Sequence, residues 1–149
     1  MKSAWLHLRA SRYFIGPYSD TPAFTILGPP PYYVLSEGCS PEELGRTIRL
    51  ALEASIEEST SGDEIARLAD ERTFTLARFA KVKDRATFER GARLVNFDVR
   101  ASGEILVTPS LRKRGYWEPS PEAQWIRLTR PSDADLGQAA KEAAERSTA

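Results

Sequence analysis

The chain has 149 residues, of which 41% are hydrophobic and 28% charged, and its formal net charge is zero. This length fits one soluble globular domain with a core of its own, and no stretch has the length and hydrophobicity of a membrane span or a signal peptide. A single cysteine, Cys39, and a single histidine, His7, exclude an internal disulfide and a zinc site of the His/Cys kind, so we expect a cytoplasmic protein without a metal or other cofactor.

The N-terminal part of the chain predicts short antiparallel strands. Residues 4–9 alternate between two faces, and an aromatic run over residues 12–18 follows the turn at residues 10–11. Residues 24–27 and 32–35 are further strands, separated by a proline-rich connector that cannot donate hydrogen bonds to a sheet. We therefore expect four strands before the first helix.

The first helix begins after Ser40. The Ser40 hydroxyl can accept a hydrogen bond from a free N–H of the first turn, Pro41 suits the first helical position, and Glu43 occupies the capping-box position. Small or apolar residues recur on one helical face at positions 44, 48, 51, 52 and 55. The pattern predicts an amphipathic helix that packs on a sheet.

The segment from residue 59 to residue 93 predicts a helical insertion. A polar turn at residues 59–63 precedes helical stretches at residues 64–71, 74–79 and 86–92. The residues expected to face inward are Ile65, Leu68, Ala69, Phe74, Leu76, Phe79 and Phe88.

The C-terminal part predicts further strands and a second long helix. Residues 94–99 and 104–108 form a hairpin, and residues 109–123 form a loop. A strand at residues 124–129 then leads into a helix that begins after Ser132.

Residues 32–55 and 125–147 share one pattern of strand, turn and helix. The matching positions are Ser40 with Ser132, Gly45 with Gly137, and Ser55 with Ser147. Glycine inside a helix costs about 1 kcal/mol relative to alanine, so its presence in both copies indicates close backbone packing rather than a ligand site.

This repeat predicts an α+β fold with an antiparallel β-sheet, a duplicated strand–helix unit of pseudo-twofold character, and helices packed on the sheet. We expect a single domain over residues 1–149. Its repeated units lie at about residues 1–58 and 94–149, with the helical insertion at about residues 59–93.

The sequence predicts no active site. His7 is the only imidazole, and the alternation within its strand favours a structural or surface role over catalysis. Cys39 precedes a helix N-cap but has no cationic neighbour in sequence, so we interpret it as an inert thiol. Adjacent carboxylates on a helix point in different directions, which favours a solvated acidic face over shared-proton chemistry.

Charge is unevenly distributed along the chain. Residues 37–72 contain ten acids and four bases, a net of −6, whereas residues 73–114 contain four acids and ten bases, a net of +6. Separated in space, these segments would make a dipolar surface that steers a charged partner. The basic residues Arg112, Lys113 and Arg114 beside Tyr116 and Trp117 leave open a second function, a single-stranded nucleic-acid-binding module, although the acidic segment repels a polyanion.

Taken in order, the motifs resemble the immunity proteins of bacterial contact-dependent growth inhibition (CDI) systems. Nearly the whole chain carries the resemblance: the aromatic N-terminal hairpin, Ser-Pro-Glu-Glu-Leu-Gly at residues 40–45, Ile-Leu-Val-Thr-Pro at residues 105–109, Tyr116-Trp117, and the closing strand with the helix start at residues 132–137. The unit of four strands and a helix, used twice, also resembles the Whirly fold in shape.

The resemblance implies a protein that binds and neutralises the C-terminal toxin domain of a CDI exoprotein delivered by neighbouring bacteria, without catalytic residues of its own. Such toxins are frequently nucleases, including tRNA-cleaving ones, and a nuclease presents cations where it holds RNA. We therefore predict that an acidic surface contacts the toxin, with Tyr116 and Trp117 as anchors. The acidic residues are Glu53, Glu57, Glu58, Asp63, Glu64, Asp70 and Glu71. Exposed strand edges leave a monomer and a homodimer both open.

Overall fold

The structure, a computed structural model, describes residues 2–59 and 62–149. In chain order its elements are β1 (Ser3–Arg9), β2 (Arg12–Asp20), β3 (Thr25–Leu27), β4 (Tyr33–Ser36), α1 (Pro41–Glu53), β5 (Ile56–Glu57), α2 (Asp63–Phe79), α3 (Arg85–Glu89), β6 (Arg93–Val99), β7 (Ile105–Lys113), β8 (Tyr116–Pro119), a 3-10 turn (Glu122–Gln124), β9 (Ile126–Leu128) and α4 (Asp133–Arg146). Among these described helices, none is long and apolar enough to cross a membrane.

The sheet is built from two equivalent halves. Its antiparallel strands lie in the order β4-β2-β1-β6-β7-β9, with β1 and β6 paired at the centre. The second half of β2 pairs with β3, and the second half of β7 pairs with β8 in the same way. Exchanging β1 with β6, β2 with β7 and β4 with β9 reproduces the order, so the predicted α+β fold with a duplicated strand–helix unit is confirmed.

Helices α1 and α4 cover one face of this sheet. Alternate residues of β1, β2, β6 and β7 point toward them and form the larger core, because successive side chains of a strand point to opposite faces. From the helices, Leu44 and Ile48 of α1 and Leu136 and Ala140 of α4 are fully buried in this core. The apolar helical faces predicted from the sequence are therefore the buried ones.

Both helices begin with the predicted serine caps. The Ser40 hydroxyl accepts a hydrogen bond from the Glu43 N–H at 3.1 Å. The Ser132 hydroxyl accepts one from the Asp135 N–H at 3.1 Å, and the Asp135 carboxylate accepts one from the Ser132 N–H at 3.2 Å, which completes a capping box.

Equivalent serines attach the ends of both helices to the sheet. The Ser55 hydroxyl donates to the carbonyl of Tyr18 at 2.9 Å and accepts from the Ser3 N–H at 3.1 Å. The Ser147 hydroxyl accepts from the Ser110 N–H at 3.2 Å and shares its one proton between the carbonyls of Leu94, at 3.0 Å, and Ala143, at 2.8 Å. Each serine therefore connects its helix to the first two strands of its own unit.

The first turns of α1 and α4 touch through their glycines. A Cβ atom on Gly45 would lie 1.8 Å from the carbonyl oxygen of Asp133, and a Cβ atom on Gly137 would lie 1.8 Å from the carbonyl oxygen of Pro41. Each glycine thus packs against the first residue of the other helix. The predicted close backbone packing is confirmed, and it is reciprocal.

Two predicted elements differ from the structure. The prediction of separate helical stretches at residues 64–71 and 74–79 is wrong, because α2 is one continuous helix. Phe74 was expected to face inward and is 58% exposed. Nine residues after the buried Ile65, at about 100° per residue, Phe74 lies on the opposite side of one long helix.

The predicted loop at residues 109–123 is also wrong. β7 continues to Lys113 and pairs with β8 across a tight turn in which Gly115 has a φ of +81°. Residues 60 and 61 of the predicted turn at 59–63 lie outside the described residues.

We expect Gly45→Ala and Gly137→Ala each to lower the free energy of unfolding by about 2–4 kcal/mol, because the added methyl group must displace a backbone carbonyl. In an exposed helix the same change would raise stability by about 1 kcal/mol. Urea denaturation measures both variants. Gly38→Ala is the control, since its nearest neighbour is 3.7 Å away, and it should be nearly neutral.

The double variant gives a sharper check of the reciprocal contact. Once one methyl group has separated the two helices, the second methyl group displaces less. The loss of stability in the double variant should therefore be smaller than the sum of the losses in the two single variants. Fully additive losses, or single variants as stable as the parent, would contradict this account of the contact.

Candidate functional site

The second face of the sheet lies under the helical insertion. Trp5, Phe14 and Leu94 of the sheet pack there with Leu76 of α2 and Phe88 of α3. The aromatic rings meet edge to face, with centroids 5.4 Å apart for Phe14 and Phe88, a favourable geometry for aromatic pairs. This second core is smaller than the first and does not fill the whole face.

A cavity of about 270 Å³ remains where the insertion meets the edge of the sheet. His7 and Tyr18 lie in its wall on the sheet side, and Trp117 of β8 closes one side. Residues of β3, α2 and α3 form the remaining walls, among them Phe24, Thr25, Ile26, Leu27, Ala69, Thr73, Leu76, Arg85, Phe88 and Glu89. We call this space the Trp117 cavity.

The two predicted aromatic anchors occupy different environments. Tyr116 is 56% exposed at the edge of the sheet. Trp117 is half-buried, with its ring centroid 5.4 Å from that of His7. Tyr116 therefore offers a surface contact, whereas Trp117 offers the wall of a cavity.

The predicted basic residues are largely engaged within the chain. The Arg112 guanidinium stacks 4.3 Å from the centre of the Trp117 ring and lies 3.6 Å from the Glu89 carboxylate. The Lys113 ammonium lies 3.4 Å from the Glu118 carboxylate. Arg114 is exposed in the turn. Arg112 thus occupies the face of Trp117 on which a nucleic-acid base would otherwise stack.

The predicted acidic residues divide into exposed and engaged groups. Glu53, at the end of α1, and Asp70 and Glu71, in the middle of α2, are exposed. Glu57 is exposed in β5, and Asp63 and Glu64 are exposed in the first turn of α2, where Glu64 pairs with Arg67. Acids occupy the first part of α2 and Arg78 its last turn, so charge changes sign along a helix about 24 Å long.

Glu58 is the engaged member of the acidic group. Its carboxylate lies 2.8 Å from the Arg72 guanidinium, which also donates to the carbonyl of Leu27 at 3.0 Å. Both side chains of the ion pair are largely buried, at 16% and 11% exposure. Breaking a buried pair of this kind is strongly destabilising, so Glu58 fixes α2 to the sheet.

His7 is the most perturbed titratable group of the site. It is 6% exposed and its ring meets those of Trp5, Phe88 and Trp117. Burial, followed by the charges of Arg85 and Arg112, lowers the pKa of His7 to about 3. The imidazole is therefore neutral at physiological pH. Burial likewise raises the pKa of the Cys39 thiol, which agrees with an inert role.

Several residues of this site were not identified from the sequence. Arg72 lies seven residues after Ile65 and thus on the same helical face, a position that indicates burial. The approach of Glu89 to Arg112 and of His7 to Trp117 joins residues far apart in the chain, and no local pattern indicates it. Within residues 2–59 and 62–149, no cluster of His, Cys, Asp or Glu is arranged to hold a metal ion.

Comparison with known proteins identifies a matching family and two solved structures with a similar fold. The pattern of the CDI immunity protein family matches residues 30–147. A protein of unknown function from Neisseria meningitidis is 18% identical, with a TM-score of 0.79 over 98% of this chain and 94% of that one. A chain of the CdiA-CT/CdiI toxin and immunity complex from Yersinia pseudotuberculosis is 15% identical, with a TM-score of 0.78 over 99% of both chains. At these identities the likeness concerns the fold. No curated protein matches the chain.

We expect His7 to reduce stability at acidic pH. An unfolded His7 takes up a proton as the pH falls through about 6.5, whereas the folded one stays neutral down to about pH 3. The unfolded state therefore binds more protons, and the free energy of unfolding falls by up to about 1.4 kcal/mol per pH unit between about pH 6 and pH 4.

His7→Phe retains an aromatic ring and removes this titration. The difference in free energy of unfolding between the parent and the variant, measured by urea denaturation from pH 7 to pH 4.5, should shift against the parent as the pH falls. All other titrating groups cancel in this difference. Parallel pH profiles would show that His7 does not titrate differently in the two states.

Proposed function

This chain belongs to the CDI immunity protein family, and we propose that it binds and neutralises the C-terminal toxin domain of a cognate CDI exoprotein. The family match, which covers most of the chain, is the observation that carries this proposal. The fold likeness to a chain of a toxin and immunity complex supports it. The protein then acts in the cytoplasm of the producing cell, where it meets an incoming toxin.

The proposed mechanism is occlusion. A preorganised surface covers the active site or the substrate groove of the toxin, and the chain contributes no chemistry. The proposed toxin is a nuclease, for example one that cleaves tRNA. A nuclease needs cations to hold its RNA, so an acidic partner surface complements it and accelerates association.

The proposed contact surface combines exposed acids with the aromatic anchors. Glu53, Asp70 and Glu71 are exposed acids outside the first turn of α2. Tyr116 is exposed, and Trp117 lines a cavity that a toxin segment can enter. Aromatic anchors in a charged rim are typical of tight and specific interfaces.

The first experiment is co-expression with the toxin domain encoded immediately upstream in the same genome. We expect cells that produce both proteins to survive, and a stoichiometric complex to be purified. Cells that produce the toxin alone should stop growing. If a folded immunity chain fails to protect cells from an active upstream toxin, the proposed function is wrong, and binding to single-stranded oligonucleotides becomes the next assay.

The acidic surface is tested by charge reversal at Glu53, Asp70 and Glu71. Changing all three to lysine should slow association with the upstream toxin domain about tenfold or more at low salt, because the steering charge is lost. Stopped-flow fluorescence measures the rate. Glu58 is left unchanged because it neutralises the buried Arg72.

The matched control reverses three exposed acids next to or within α4, on the face of the sheet opposite α2. Glu37, Glu142 and Glu145 are all exposed, and changing them to lysine alters the net charge by the same amount. Its effect on association should be about threefold or less, and the difference between the two variants should shrink in high salt. Equal rates for both triple variants would exclude the acidic surface as the contact.

A further inference from the structure

Three unpartnered, buried nitrogen atoms belong to residues in or beside the wall of the Trp117 cavity. Among the residues that the structure describes, five buried side-chain atoms lack a hydrogen-bond partner: His7 Nδ1, Arg9 Nε, Arg112 Nη1, Trp117 Nε1 and Ser120 Oγ. The His7 and Trp117 rings line the cavity, and the Arg112 guanidinium stacks on Trp117. Since buried polar groups normally have partners, this concentration in one place indicates a binding site.

The chemistry of two of these atoms, Trp117 Nε1 and Arg112 Nη1, defines the partner that they lack. An indole N–H is a donor only, and a guanidinium has five N–H donors and no acceptor. The missing group is therefore an oxygen acceptor. Two guanidinium groups, those of Arg85 and Arg112, share the single carboxylate of Glu89, at 3.0 and 3.6 Å. The resulting excess of positive charge favours an acceptor that is negative.

On the basis of the proposed function, we infer that the Trp117 cavity binds a carboxylate side chain of the toxin, an aspartate or a glutamate, which accepts a hydrogen bond from Trp117 Nε1 beside the Arg112 guanidinium. This contact is distinct from the acidic surface. There the immunity chain supplies the negative charge, whereas in the cavity the toxin supplies it.

The size and walls of the cavity favour a protein side chain over a nucleic acid. At about 270 Å³ it lies below the range of about 300–1,000 Å³ typical of small-molecule sites. Apolar residues such as Ile26, Leu76 and Phe88 line much of it and suit the methylene groups of an acidic side chain. A phosphodiester has no such apolar stem, and the acids of α2 repel its neighbouring phosphates.

Such a contact would also contribute specificity. A toxin without a carboxylate at this position leaves the Trp117 N–H and Arg112 Nη1 buried without an acceptor, and unpaired buried donors discriminate strongly against the wrong partner. Affinity for the cognate toxin then depends on one atom of Trp117 as well as on the aromatic ring.

Trp117→Phe removes the N–H and keeps an aromatic ring next to His7 and Arg112. We expect its dissociation constant for the upstream toxin domain, measured by isothermal titration calorimetry, to rise about tenfold or more. Trp125→Phe is the matched control, because the Trp125 N–H already donates to the carbonyl of Ser120 at 2.7 Å. Its dissociation constant should change about twofold or less, whatever its effect on stability.

The toxin side of the contact is identified by replacing each aspartate and glutamate of the toxin with its amide. One replacement should weaken binding to the parent chain as much as Trp117→Phe does, and cause little further loss when combined with it. This coupling holds even if Trp117→Phe reduces stability. If no acidic residue of the toxin couples to Trp117, or if Trp117→Phe binds as tightly as the parent chain, the inference is overturned.

Two further outcomes separate the possible failures. If the parent chain and the Trp117→Phe variant bind the toxin equally well, the carboxylate site is wrong and the proposed immunity function stands. If the parent chain does not bind the toxin, both proposals are wrong. A ten-nucleotide single-stranded RNA that binds the parent chain and not the Trp117→Phe variant would assign the cavity to phosphate and overturn the carboxylate.

Discussion

The contact between the first turns of α1 and α4 is the constraint on which the fold depends. Gly45 and Gly137 each lie against the first residue of the opposite helix, and neither position has room for a Cβ atom. Arg49 donates to the carboxylate of Asp133 at 2.6 Å and to the carbonyl of Pro131, and Lys141 donates to the carbonyl of Cys39 at 2.6 Å, so each helix also holds the segment before the other. Because the two glycine contacts are reciprocal, the pair fixes the twofold relation between the halves of the sheet.

Local patterns revealed this scaffold because its determinants are local. Ser40 and Ser132 cap helices through atoms three residues away, and the two glycines occur at matching distances from those caps. The same reasoning failed at β8, since residues 111–118 pair only with each other at the sheet edge and have no apolar alternation to mark them. It failed at α2 because Arg72, a charged residue on the buried face, looks like a break until its partner Glu58 is known.

The site is less predictable than the scaffold for a physical reason. Trp117 was identified from its residue type, but its neighbours His7 and Arg112 come from β1 and β7, and the Glu89 partner of Arg112 comes from α3. Sequence spacing does not encode such approaches. An unpartnered N–H is also invisible in a sequence, because it depends on the absence of an acceptor in three dimensions.

The two faces of the sheet differ in their symmetry. The face covered by α1 and α4 is nearly twofold symmetric, and its atoms are packed too closely to change, as the two glycines show. The opposite face has α2 and α3 over the junction of the halves, with no counterpart among the described residues of the second unit. The Trp117 cavity exists because α2 and α3 have no such counterpart to fill the remaining space on this face. Substitutions in α2, α3 and β8 can therefore accumulate without disturbing the helix contact that holds the sheet together.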